Sequence, residues 1–234
     1  GTNKSINNVD GRFLGTITLR DALYKSRNIP AVKVFEEVGP TKASQFARNL
    51  GLPYKDVHAA HALGGGEYSL STVEVAGAYA AFGNGGMFTR PHAVKKIIFR
   101  NGEERNMTPQ QTNAMKNSTA YMSTDFLRDV LTKGTGERAK VAKIDVAGKT
   151  GTTNYDAKDR KKHNMNDRYV PDTWFAGYSG QYTIAAWGGY ESYYEPIKTY
   201  DKGRYVPQNL FRQVMQEIAT ERGTMSKPSS VTEA

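Results

Sequence analysis

Along the first third of the chain the apolar residues are punctuated by polar capping residues and by Pro and Gly stops, and the segment reads helical. Thr18-Leu19-Arg20-Asp21 is a loose capping box, with Asp where Glu or Gln is usual, and it opens a helix running to about Arg27. Asn28-Ile29-Pro30 breaks that helix, and Pro30 suits the first position of a second one ending at Gly39. Thr41 caps a third helix, closed by Gly51. Ser71-Thr72-Val73-Glu74 is a full capping box for a helix over 72–82, whose Ala and Gly content lets its backbone pack close to a neighbour, and Gly83-Asn84-Gly85-Gly86 stops it. The period then changes. Residues 94–100, followed by Asn101-Gly102, read as a strand entering a hairpin turn. A helix over 120–133 comes next, and after Gly134-Thr135-Gly136 strands dominate, at 143–149, 173–178 and 182–189. A last helix over 208–222 sets Leu210, Phe211, Val214, Met215 and Ile218 on one face. Helices first, antiparallel strands later and a closing helix make an α+β pattern, an antiparallel sheet flanked by helices. One domain over 1–222 is expected, with a Ser/Thr/Lys/Pro-rich tail, 223–234, that reads as disordered.

Composition narrows the function classes. The 234 residues contain no cysteine, which excludes a disulfide scaffold, a thiolate zinc site and a cysteine nucleophile, but leaves the compartment open. No stretch approaches 18 apolar residues, so no membrane span is expected. The net charge of +9 invites a nucleic-acid reading, yet the basic residues are spread along the chain. Their densest cluster, Lys158, Arg160, Lys161, Lys162 and His163 with Arg168 beyond, is interleaved with Asp156, Asp159 and Asp167 and reads as a solvated loop; no nucleic-acid partner is expected. A negatively charged cell envelope suits such diffuse charge equally well.

Three motifs could carry chemistry. Gly148-Lys149-Thr150 resembles the end of a phosphate-binding loop, but that loop needs a glycine where Lys143 stands, and β-branched Ile144 and Val146 follow. His58 and His61 are three apart, without the third ligand a metal site needs, and read as loop histidines; no metal and no cofactor is expected. The informative pair is Ser26-Arg27-Asn28 with Lys149-Thr150-Gly151-Thr152-Thr153: a Ser-x-Asn triplet and a Lys-Thr-Gly triplet are two of the three motifs of penicillin-binding proteins and serine β-lactamases. Taken singly, Ser26 and Asn28 could merely end a helix, and Lys149 could guard a sheet edge.

The context around both triplets resembles the transpeptidase domain of class A (bifunctional) penicillin-binding proteins. The run from Thr18 to Lys33 looks like the segment carrying that family's second motif. Residues 62–67 and 78–86 are similar to its middle region, Gly134-Thr135-Gly136 precedes the third motif as it does there, and 172–178 and 186–189 resemble the two strands after it. The resemblance implies the α+β fold shared with serine β-lactamases, incomplete at its N-terminus, and acyl transfer through a serine ester on peptidoglycan stem peptides ending in D-Ala-D-Ala, with β-lactams as the other ligands. It implies that Ser26 relays a proton to the leaving nitrogen, Asn28 bonds the substrate amide and a partner lysine, and Lys149 supplies positive potential. Thr150 and Thr152 would hold the terminal carboxylate, Gly151 would let an extended peptide lie against the strand, the Thr152 N–H would be an oxyanion donor, and Thr153 lies adjacent.

One part is missing from the sequence. None of the twelve serines has a lysine three residues later, so the family's Ser-x-x-Lys nucleophile motif is expected upstream, in an N-terminal piece of the same domain, with a membrane anchor further upstream on the extracytoplasmic face. Residues 1–234 alone are expected to be inactive and to need that piece to fold. An insertion at 154–171 is expected to overhang the cleft as a polar, mobile loop. The competing readings are a D,D-carboxypeptidase or β-lactamase, in which water accepts the acyl group, and a non-catalytic cell-wall or partner-binding module on the same fold.

Overall fold

A computed structural model of the chain describes residues 6–8, 10–66, 68–219 and 225–232. Helices α1 (Leu19–Tyr24), α2 (Asn28–Val38), α3 (Pro40–Asn49) and α4 (Thr72–Gly83) come first. Two small antiparallel pairs follow, β1 (Met87–Phe88) with β4 (Thr112–Asn113) and β2 (Lys96–Ile98) with β3 (Glu104–Asn106). The long helix α5 (Asn117–Lys133) leads into the main sheet of β5 (Ala147–Thr152), β7 (Asp172–Tyr178) and β8 (Thr183–Gly189). Between β5 and β7 lie α6 (Ala157–Lys162) and β6 (Tyr169–Val170); β6 pairs with β9 (Ile197–Lys198), and α7 (Val206–Ile218) closes the fold. The sheet is antiparallel in the order β5-β7-β8, so β5 is an edge strand among the described residues. The class is α+β.

Local chemistry explains the helix starts. Thr18 Oγ1 accepts from the Asp21 N–H at 3.0 Å, and Ser71 and Glu74 complete the reciprocal capping box. Alternation along β7 then sends Phe175 and Tyr178 to opposite faces. Phe175 packs on Phe211 of α7, ring centroids 4.8 Å apart, with Val130, Leu131 and Met215 buried around them. Tyr178 turns to α4 and α5: its hydroxyl shares a 2.8 Å hydrogen bond with Thr124 Oγ1, and its ring abuts Tyr79. Desolvation raises the Tyr178 phenol well above its ordinary pKa, as it should for a hydroxyl sealed between a sheet and two helices. A second cluster joins Ala78 and Ala81 of α4 to Leu50, Met115 and Ala120, using the small side chains of that helix as close-packing contacts.

Several boundaries differ from the sequence reading. Gly39 rather than Thr41 is the N-cap of α3, and Pro40 takes the first turn. Pro30 is the third residue of α2, not the first, because Asn28 already has helical geometry. The strand expected over 143–149 begins only at Ala147: Lys143 has φ +64°, and Asp145 is drawn out to Arg128 by a bidentate pair at 2.9 and 2.6 Å. The 154–171 insertion is structured. Asp156 caps α6 by accepting from the Asp159 N–H at 2.7 Å, and β6 adds to β9. His163 stacks on Tyr194 at 3.8 Å, and Tyr155 OH donates to the Tyr193 carbonyl at 2.5 Å. The last helix ends at Ile218, and 220–222 lie outside the described residues, as do parts of the 223–234 tail. Within that tail Met225 is anchored, its carbonyl accepting from Arg128 at 2.9 Å.

No helix among the described residues is long and apolar enough to cross a membrane. His58 and His61 meet edge to face, and no group of three or more His, Asp or Glu side chains fit to hold a metal occurs among the described residues.

Candidate active site

Two stretches 123 residues apart in sequence meet at the free edge of β5: Lys149 Nζ donates to Ser26 Oγ at 2.8 Å. Each partner is placed by a specific local device. Ser26 follows α1 with φ +54°, in the left-handed region. Its N–H bonds to Leu23 O, and the Arg27 N–H reaches back to Ala22 O, the two bonds of a Schellman turn. A serine where glycine is favoured stores about 1 kcal/mol of strain, held by the turn and by Arg27. The Arg27 guanidinium is buried, donating to Asp10 Oδ2 at 2.8 Å and to Arg12 O at 2.5 Å.

Asn28 begins α2. Asn8 Oδ1 accepts from the backbone N–H groups of Asn28 and Ile29, at 3.1 and 3.4 Å, and so caps that helix from outside it. The Asn28 side-chain amide donates to Asn7 O at 2.8 Å, facing the N-terminal segment and not Lys149.

On the other wall, Lys149 Nζ also donates to Thr150 O at 3.1 Å and to Thr150 Oγ1 at 3.3 Å. Its three protons thus meet three neutral oxygens. Desolvation lowers its pKa from 10.5 to about 8, and no carboxylate opposes that shift. Because Thr150 O takes this bond, the Thr150 backbone polar groups point to the open edge. By the two-residue repeat, those of Thr152 do the same.

Thr150 Oγ1 is itself 2.7 Å from Thr135 Oγ1, and the Thr135 N–H donates to Tyr24 O at 3.2 Å. The segment after α5 therefore ties the end of α1 to β5, and with it Ser26 to Lys149. Gly134 makes the approach possible, since a Cβ there would lie 2.5 Å from Tyr24 O. α1 is clamped on α5 by Arg20, which pairs with Asp125 and, at 2.9 Å, with Asp129. Gly151 sits opposite Trp174, and Thr152 Oγ1 donates to Gly151 O at 2.8 Å. Thr153 Oγ1 is turned to Asp172 Oδ1, also at 2.8 Å.

Lys149 is thus in direct contact with both Ser26 and Thr150, with Gly151 and Thr152 next along the same strand. Asn28 and Thr153 flank them with side chains engaged elsewhere. Thr135, Asn8, Arg27 and Asp172 went unassigned in the sequence. Their partners lie too far along the chain to show as a pattern; the two glycines flanking Thr135 are the one local signal of a close approach.

Comparison with known proteins places the chain in a family. Residues 1–216 match the family described as "Penicillin binding protein transpeptidase domain". This chain belongs to that family. Among curated relatives, the chain is 42% identical to penicillin-binding protein 1A/1B of Bacillus subtilis over 99% of its own length and 26% of the relative's. It is 38% identical to penicillin-binding protein 1A of Streptococcus pneumoniae over 94% of the chain and 31% of that protein. It therefore spans about a quarter to a third of these class A relatives. PonA1 of Mycobacterium tuberculosis, at 22% identity, superposes with a TM-score of 0.80 over 98% of this chain and 64% of its own. The same protein solved in complex with penicillin V gives 0.78. The α+β fold is the fold of the penicillin-binding transpeptidases.

A substitution pair tests the strained turn. In the whole protein that carries this chain, Ser26→Gly should be more stable than Ser26→Ala by about 1 kcal/mol, because glycine adopts the left-handed conformation without a Cβ penalty. Denaturant melts read the difference; an alanine variant as stable as the glycine one would contradict the strain.

Proposed function

We propose that the chain supplies two walls of a serine D,D-transpeptidase that cross-links peptidoglycan, and that the nucleophile comes from a Ser-x-x-Lys segment outside residues 1–234. The observation that carries this reading is the 2.8 Å contact between Lys149 Nζ and Ser26 Oγ at the open edge of β5. A serine hydroxyl attacks the carbonyl between two D-alanines, the C–N bond breaks, and D-alanine leaves with a proton. The amine of a neighbouring stem peptide then takes the acyl group from the ester.

The residues divide this work. Lys149 places positive potential beside the forming charge and, with a pKa of about 8, exchanges protons with Ser26, which passes one to the leaving nitrogen. Thr150 and Thr152 hold the terminal carboxylate, and the Thr152 N–H supplies an oxyanion donor. Gly151 keeps the strand flat for an extended ligand. Asn28 gives up Asn7 O for the substrate amide, and Thr153 steadies the strand end. The whole protein works on the extracytoplasmic face of the membrane, held there by a segment outside this chain.

A fluorescent penicillin tests the reading. The whole protein should become covalently labelled, and residues 1–234 alone should not. A labelled isolated chain would mean that one of its own serines is the nucleophile; an unlabelled whole protein would favour a non-catalytic wall-binding module. Product analysis with a D-Ala-D-Ala donor and an amine acceptor separates transpeptidase from carboxypeptidase or β-lactamase, since water as sole acceptor gives only hydrolysis.

The depressed lysine also has a stability signature. Lys149 loses its proton near pH 8 when folded and near 10.5 when unfolded, so between those values the unfolded state binds more protons and stability rises with pH. The melting temperature of the whole protein relative to its Lys149→Met variant should increase from pH 8 to pH 10.5. A constant difference would show that the ammonium is not desolvated.

A further inference from the structure

We propose that Asp172 is a positioning residue for the oxyanion donor, acting through the residues on either side of Thr152; this rests on the transpeptidase reading. Asp172 opens β7, and the register Thr152↔Thr173 continues to bring residue 153 opposite it. Its carboxylate collects three donors. Thr153 Oγ1 reaches Oδ1 at 2.8 Å, and the indole N–H groups of Trp174 and Trp187 reach Oδ2 at 3.4 and 3.3 Å. These are both of the chain's tryptophans. The threonine bond is the short one, and a charged acceptor strengthens it; the indole bonds are long and act chiefly to orient the rings.

The two ties converge on one peptide segment. Trp174 pairs with Gly151, and a Cβ added to that glycine would sit 3.0 Å from Trp174 Cβ, so the indole residue backs the strand at 151. The Thr153 hydroxyl fixes the strand at 153. Thr152, between them, has its N–H on the open edge and its own hydroxyl turned to Gly151 O. With 151 braced from one side and 153 tethered from the other, the peptide plane carrying the Thr152 N–H cannot rotate away from the position a developing oxyanion would take. Asp172 touches no substrate in this arrangement.

An oxyanion donor acts in the transition state and little in the ground state, so misaligning it should lower the acylation rate constant and spare the initial complex. In the whole protein, Asp172→Asn and Thr153→Val should each slow the acylation step by a penicillin about 10- to 100-fold, with the dissociation constant of the non-covalent complex nearly unchanged. Because both remove one tie, the double variant should be no slower than the worse single one. Asp172→Asn acylated at the unmodified rate, or a loss confined to the dissociation constant, would overturn the proposal. So would fully additive losses, the mark of two unrelated defects. If Asp172→Asn does not fold, Thr153→Val alone decides by the same rate-against-affinity split. Failure of the transpeptidase reading looks different: the unmodified protein is then not acylated at all, and this proposal goes with it.

Discussion

Lys149→Met in the whole protein should reduce acylation by penicillin about 10²- to 10³-fold. That is the range found when one group stabilising an oxyanion or its proton transfers is removed. The expectation follows from where Nζ sits. It is in direct contact with both Ser26 and Thr150, which the proposed function assigns to the leaving nitrogen and the ligand carboxylate. Methionine matches the lysine stem in length and apolar character, so the fold should keep its packing while losing the charge. Removing a desolvated ammonium should not destabilise the protein at neutral pH, because its burial opposes folding there. The rate should fall while the melt holds. A variant that retained acylation within a few-fold would remove Lys149 from the chemistry, and one that melted far lower would make it structural.

The largest stability effect is expected at Phe175, which is fully buried and lies in register with Thr150. Phe175→Ala in the whole protein should cost about 3–5 kcal/mol in a denaturant melt, since truncating a buried phenyl ring loses its transfer energy and leaves a cavity. The cavity would open between β7, α7 and the end of α5, where the ring now meets Phe211. The same site also predicts a functional loss beyond the unfolded fraction. A slackened β7 no longer fixes the strand that carries Lys149. A cost below about 1 kcal/mol would mean that the core repacks around the gap, contrary to the close packing of this cluster.

How far the sequence reveals this site depends on how local each determinant is. The caps at Thr18 and Ser71 are legible because donor and acceptor lie three residues apart. The meeting of Ser26 and Lys149 is legible only through the order of two short motifs, since nothing in either stretch points to the other. The devices that hold them are not legible. Asn8 caps a helix twenty residues on, Thr135 bridges two elements with a hydroxyl, and Asp172 gathers donors from Thr153 just past β5, from its own strand and from β8. The 154–171 segment looked like a loop because its helix is one and a half turns of charged residues. Its strand is two residues long and finds its partner at 197–198. Charge interleaving hid a short capped helix, and non-local pairing hid the strand.

Among the described residues, the hydrogen-bond partners of the Lys149 ammonium are hydroxyl and carbonyl oxygens, and this bears on which donors the proposed groove would discriminate. A full counter-ion in that ring would leave an arriving ligand little to neutralise. With dipoles around it, the lysine keeps its field for a guest, so under the proposed function a donor chain ending in a free acid should gain far more than one whose last residue is amidated. On that reading, selection by terminal charge would be built into the strand edge before any side chain of the guest is read.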